Sequence, residues 1–228
     1  MAINILPGIY YFLRTKLFAG RAGVTATYSS GFWPGLVRDE SIKLFTELNL
    51  PQNSVITEIG CGEGLFLTHI AQMYPHSNFI GIDFWENIIN EAQLRSHQLN
   101  LTNIKFQLSD GKTAPLPDNH ADCVFCINTI LNVPHNAISG LITELYRICR
   151  SGGYIIFDIR NTKPVWLTWQ YKLVKFYDPG ISVPLHTNSF PEILKNFPTG
   201  RVEIIMQKYI GFPRNDFAPI ILTAVRKK

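Results

Sequence analysis

The sequence predicts an α/β protein in which a largely parallel, doubly wound sheet carries helices on both faces. Three observations lead there. Short apolar runs recur along the chain, several closing on an acid or a glycine. Segments of helical spacing alternate with those runs across short turns, the arrangement that parallel strands require. At 228 residues, 46% hydrophobic and 17% charged, the chain suits one sizeable core and is too short for two generous ones.

Taken in order, residues 1–35 read as an N-terminal cap or lid, and 36–228 as the main domain with an aromatic insert at about 161–188. A helix is expected over Pro34–Leu48, overlapping the end of that cap, then a strand at 55–59, a helix at 64–74, a strand at 78–82 and a helix at 87–99. Strands at 104–108 and 123–127, a helix at 137–149 and a strand at 154–159 follow. Val165–Tyr177 is strongly aromatic and helical in spacing, and a short helix covers Phe190–Asn196. Two apolar runs, Val202–Tyr209 and Pro219–Val225, close the chain.

The first strand runs into Glu58-Ile59-Gly60-Cys61-Gly62-Glu63-Gly64. Glycines there tolerate positive φ and let backbone approach a ligand, while the next helix offers its free N–H groups. The third glycine comes one position too early for the dinucleotide fingerprint. Glu58 at the strand's carboxyl end would repel a pyrophosphate and attract an ammonium or a sulfonium. An ordinary glycine-rich βα turn is the plainer alternative. The second strand ends in Asp83, 19 positions after Gly64, where a carboxylate accepts from a ribose diol; capping the next helix is its simpler role. Phe84 follows, suited to a purine face, with Trp85 beside it. The third strand leads to Asp110-Gly111.

This series, Glu58-x-Gly60-x-Gly62-x-Gly64, Asp83, Asp110-Gly111, the run Leu116-Pro117-Asp118-Asn119-His120-Ala121-Asp122-Cys123-Val124 and the turn Arg150-Ser151-Gly152-Gly153, resembles the class I S-adenosylmethionine-dependent methyltransferases over roughly residues 50 to 160. It departs from the pattern at Ala121, where an aromatic is usual, and at Arg150-Ser151, which replaces Lys-Pro. The resemblance implies a Rossmann-like seven-stranded sheet, mostly parallel with a C-terminal antiparallel strand. It implies S-adenosylmethionine as cofactor, with Glu58, Gly60, Cys61, Gly62 and Gly64 at the methionine end, Asp83 and Phe84 at the ribose and purine, and Asp110 with Gly111 at the adenine. It also puts Asn128 on the loop facing the methyl donor, and makes Gly152 and Gly153 a helix-ending pair. Asp122 reads as structural.

The formal charge of +4 is mild and its basic residues are scattered, so no nucleic-acid face is expected. Cys123 and Cys126 are spaced C-x-x-C, but positions three apart in a strand point to opposite faces, and no second pair exists. Buried free thiols, a reducing cytoplasm and no metal are the expectation. The apolar stretch Ile3–Phe18 lacks the basic start and small-residue site of a secretory signal, and Pro7, Gly8, Arg14 and Lys16 break it too often to span a bilayer. It either packs on the core or rests on a membrane surface. Residues 165–177 with Tyr28, Phe32 and Trp33 form either an acceptor pocket or lid, or plain packing on the sheet. His135 and His186 are the candidate general bases, and a surface loop position is the bland reading of each. The acceptor expected is a small apolar or aromatic metabolite or lipid. A macromolecular acceptor (RNA or protein) and a non-catalytic partner subunit stand as alternatives.

Overall fold

The computed structural model describes residues 32–109, 113–177 and 185–228. Its elements in chain order are α1 (Phe32–Glu47), β1 (Val55–Ile59), α2 (Leu65–Met73), β2 (Asn78–Asp83), α3 (Glu86–Gln98), β3 (Ile104–Leu108) and β4 (Ala121–Cys126). After a 3-10 turn at Ile130–Asn132 come α4 (His135–Ile148), β5 (Cys149–Arg160), α5 (Val165–Tyr177), α6 (Phe190–Lys195), β6 (Val202–Ile210) and β7 (Ile220–Lys227). One seven-stranded sheet has the order β3-β2-β1-β4-β5-β7-β6. β7 runs antiparallel to both neighbours and the pairs from β3 to β5 are parallel. The expected sheet is therefore present. Of the cap expected at residues 1–35, only the last four lie among the described residues.

Each strand feeds two cores, because alternate side chains leave opposite faces of the sheet. On one face Val37 and Leu44 of α1, Leu67 and Ile70 of α2 and Ala92 of α3 pack over Ile56, Phe79 and Phe125. On the other, Ile142 and Leu145 of α4 and Ile193 of α6 pack over Ile80, Val124 and Phe157. Cys123 joins the first core and Cys126 the second, as strand geometry requires, and all four cysteines are buried free thiols. Among the described residues, no helix is long and apolar enough to cross a membrane.

One expectation fails at the end of α4. Gly152 and Gly153 do not cap that helix: it stops at Ile148, and Cys149 is already extended with φ −70 and ψ 131. The glycines lie inside β5, beside the irregular register between Ala121 and Cys123 of β4. A Cβ at Gly153 would stand 2.9 Å from the Asp122 carbonyl, so the chain uses glycine there for space. Asp122 is structural. Its Oδ2 accepts from the Val55 amide at 2.7 Å, and Oδ1 pairs with Arg150 Nε, so it pins the start of β1 to the start of β4.

The loop before β4 hangs on one side chain of α4. Arg147 donates to the carbonyls of Leu116 at 2.8 Å and Ala114 at 3.1 Å, and to Asp118 at 2.7 Å, while Glu144 steadies the guanidinium at 2.7 Å and accepts from the Ala114 amide. Arg147→Ala is expected to cost about 2 kcal/mol by orphaning those acceptors. In a thermal melt that is a fall of roughly 4–8 °C for a chain this long.

Candidate active site

Four carboxyl ends of strands meet the beginning of α1 at one edge of the sheet. The turn after β1 bends back onto β2, since the Gly60 and Cys61 amides both donate to the Ile82 carbonyl, at 2.8 and 3.1 Å. Thr129, just past β4, donates its hydroxyl to the Gly60 carbonyl at 3.2 Å. Gly60, Gly62 and Gly64 all take positive φ, between 52° and 75°. Two of them do different work. A Cβ on Gly60 would run into Thr129 at 2.4 Å, whereas one on Gly62 would meet nothing within 4 Å. Gly60 is a packing glycine, and Gly62 leaves bare backbone facing open space. Cys61 turns its side chain into the core at 7% exposure, so its backbone alone faces the turn.

Glu58 sits beneath this turn at 2% exposure, and its Oε2 has no hydrogen-bond partner among the described residues. Burial holds its carboxyl well above the usual glutamate range, with Arg38 of α1 pulling the other way and Asp83 adding to the rise. A buried carboxylate lacking a donor is costly unless some other cation meets it. Asp83 faces the same opening. Its Oδ2 accepts from the Gly62 amide at 3.0 Å, and its Oδ1 from the amides of Phe84 and Trp85 at 2.8 and 3.2 Å. Of the roughly four lone-pair positions on a carboxylate, those bonds leave one, on Oδ2. The simpler role weighed for Asp83, capping α3, is not the one it takes: the N-cap is Trp85 and no side chain caps the helix, while Asp83 binds the amides just ahead of it and keeps one acceptor position. The Phe84 ring is 58% exposed, edge-on to Trp85 with centroids 5.3 Å apart. Asp110 and Gly111 lie outside the described residues.

Asn128 holds the left-handed conformation, φ 54°, directly after β4. Its side chain is committed within the protein. Oδ1 accepts from Arg160 Nη2 at 2.8 Å, Nδ2 donates to the Pro34 carbonyl at 3.3 Å, and its amide donates to Asp158 Oδ1 at 2.5 Å. Asp158 in turn pairs with Arg160, both side chains at most 2% exposed, and the Arg160 guanidinium reaches the Tyr171 hydroxyl on α5. Asn128 thus positions the loop and does not reach out of it.

His135 is exposed at the start of α4, and His186 lies against it with ring centroids 5.1 Å apart. The His186 amide donates to the Leu131 carbonyl at 2.7 Å, which lays its loop on the turn following β4. Burial first, then His135, lowers the pKa of His186 and favours its neutral form. No group of three or more possible metal ligands occurs among the described residues.

Three participants escaped sequence reasoning. Arg38 was an unremarked charge in the first helix, yet it is part-buried and interacts with both Glu58 and Glu63. Asp158 and Arg160 left a readable signal, two opposite charges at alternate positions at the end of the otherwise apolar run from Tyr154.

The folded state keeps the Glu58 pKa above its ordinary value, so it binds more protons than the unfolded chain. Stability should therefore fall as pH rises beyond the ordinary glutamate value of about 4.3. Urea titrations at about pH 5 and about pH 8 should record that fall. Glu58→Gln should remove this part of it and be the more stable protein at the higher pH.

A family model described as a methyltransferase domain matches residues 56–153. A fatty-acid O-methyltransferase of Mycolicibacterium smegmatis is 26% identical over 102 residues, 45% of this chain and 35% of that protein. A tRNA (guanine-N(7)-)-methyltransferase of Halalkalibacterium halodurans is 41% identical over 59 residues, 26% of this chain and 27% of that one. The chain thus spans about a third or less of the length of these relatives. Among solved structures, magnesium protoporphyrin IX methyltransferase from Synechocystis, with bound SAH, superposes with a TM-score of 0.68 at 15% identity, covering 96% of this chain and 98% of that one. A SAM-dependent methyltransferase from Aquifex aeolicus does so at 0.61 and 18%, covering 82% and 89%. Sheet order and glycine turn agree with the match of residues 56–153 to a methyltransferase domain, and the fold is that of S-adenosylmethionine-dependent methyltransferases.

Proposed function

We propose that this protein transfers a methyl group from S-adenosylmethionine to a small apolar or aromatic acceptor. The observation that carries this reading is the buried Oε2 of Glu58, without a partner among the described residues, beneath the bare backbone of Gly62. A zwitterionic amino-acid end fits that place: Glu58 receives the ammonium, and Arg38, close enough to interact with Glu58, receives the carboxylate. The remaining lone pair of Asp83 takes one ribose hydroxyl, and the exposed Phe84 ring offers a face to the purine. Asp110 and Gly111, outside the described residues, are the part of the chain proposed to meet the adenine. Asn128, through its bonds to Arg160 and Pro34, holds the wall opposite.

When bound, the cofactor supplies a methyl group carried on a sulfonium. The chain's own contribution is alignment and exclusion of water. Arg160 and Asp158 sit inside, paired with each other and with Asn128 and Tyr171, so they fix the geometry without offering a loose charge to the reacting region. For an oxygen acceptor, the His135–His186 pair is the place where a hydroxyl would lose its proton. His186 favours the neutral imidazole, the form a general base requires. A small apolar acceptor draws support from the fatty-acid O-methyltransferase relative. An RNA acceptor draws support from the tRNA methyltransferase relatives.

Calorimetric titration with S-adenosylmethionine should give binding that Asp83→Ala weakens about 100-fold and Arg38→Met about tenfold. Wild-type protein that binds no cofactor would sink the reading. Incubation with methyl-labelled cofactor and separate lipid, RNA and protein extracts should put the label in a small lipid-soluble product. Label in RNA would favour the other acceptor class. With an oxygen acceptor, His186→Ala should lower kcat about 100-fold and leave cofactor affinity alone; an unchanged kcat would make the pair structural.

A further inference from the structure

Helix α5 is built inside out for a surface helix. At 3.6 residues per turn, Val165, Trp166, Trp169, Lys172 and Leu173 share roughly a third of its circumference. That sector faces away from the protein, with Trp166 at 50% exposure, Trp169 at 59% and Leu173 at 47%. The opposite side carries the buried Leu167, Thr168 bonded to Thr187 at 3.0 Å, and Tyr171 reaching Arg160. An ordinary amphipathic helix turns its polar face outward.

The β6–β7 hairpin extends the same surface. Its tip stands at the carboxyl end of β5, because Arg160 pairs with Ile220 and Ile220 with Ile210. There Phe212 is 88% exposed and Phe217 is 56% exposed. Lys163 joins tip to helix, with Nζ 5.5 Å from the Phe217 ring centroid and 3.0 Å from Asp216. Lys172 lies over Trp169 at 5.2 Å, and Arg214 is exposed on the tip. Aromatic rings interleaved with basic side chains, at the end of the sheet where Glu58 and Asp83 open, match a membrane interface. Indole rings favour the headgroup level, and Lys and Arg meet anionic phosphates there.

We propose that the rim formed by α5 and the β6–β7 hairpin docks on a lipid bilayer bearing anionic headgroups, and that the acceptor enters the site from that bilayer. The second half rests on the small apolar acceptor proposed above; the docking itself does not. The Trp face supplies apolar contact, and Lys163, Lys172 and Arg214 supply attraction that salt would screen. The distinctive feature is the placement: the rim stands at the carboxyl end of β5, the end of the sheet where β1 and β2 carry Glu58 and Asp83.

The test is co-sedimentation of the full chain, without cofactor, on vesicles of phosphatidylcholine alone or with about a third phosphatidylglycerol. Binding should be strong on the anionic vesicles, weaker on the neutral ones and weaker in high salt, with a blue shift of tryptophan fluorescence. The double variant Trp166→Ser, Trp169→Ser should partition about tenfold less. Leu94→Ser, on α3 at the other edge of the sheet and 61% exposed in the wild type, should leave partitioning unchanged. Unaltered melting and cofactor titration in each variant would establish that the fold is intact. Absence of vesicle binding would overturn the proposal. So would binding that ignores the tryptophans, which would move the contact to another part of the chain. Self-association abolished by the double variant, with no vesicle binding, would overturn it too and give the face to a second copy. None of these outcomes touches the cofactor assignment, which the titration reads separately.

Discussion

The buried pair of Asp158 and Arg160 is the constraint on which the geometry of the site depends. Removing either partner would leave a charge stranded in the interior, an arrangement that costs far more than the pair itself contributes. The pair is satisfied only if its neighbours stand in place. Asp158 needs the amide of Asn128, Arg160 needs the Asn128 carbonyl oxygen and the Tyr171 hydroxyl, and Asn128 needs the Pro34 carbonyl. One ion pair thereby sets the end of β4, the end of β5, the beginning of α1 and the inner face of α5 relative to one another. Elements from Pro34 to Tyr171 become one wall.

Glu58 is the opposite case. Among the described residues its Oε2 has none of the partners that Asp158 is given, and burial disfavours its charge. The two carboxylates are almost equally inaccessible, 2% and 1% exposed, so exposure does not separate their roles. What separates them is satisfaction. A saturated carboxylate serves the fold, whereas an unsaturated one stores a demand that a cationic ligand can meet. Asp83 lies between, with three amides bound and one position left.

Much of this was legible in the chain. The strands at 55–59 and 104–108 and the helix at 165–177 begin and end where their patterns do, because local periodicity sets their limits. The glycine turn and Asp83 were also readable, being contained in a single βαβ stretch. Legibility failed where function is shared between distant segments. Nothing near Arg38 announces Glu58, and the meeting of His135 with His186 depends on a loop laid over the turn after β4. Gly152 and Gly153 misled for another reason. Glycine ends helices and also fills crowded strand irregularities, and only the proximity of the Asp122 carbonyl distinguishes the two uses.

The sheet order carries a consequence for how the protein is made. β7 lies between β5 and β6, although β6 precedes it in the chain. During synthesis β6 therefore emerges with no strand to pair with, and its apolar Ile204 and Ile205, still 47% and 40% exposed in the finished fold, are bare until β7 arrives. When β7 inserts, Lys227 locks it by donating to the Tyr146 and Cys149 carbonyls, each at 2.8 Å, and to Asn119 at 2.9 Å. The nascent chain thus passes through a stage with an open, sticky edge, and a chaperone or simply the crowded ribosome surface has most to shield just before the final strand is released.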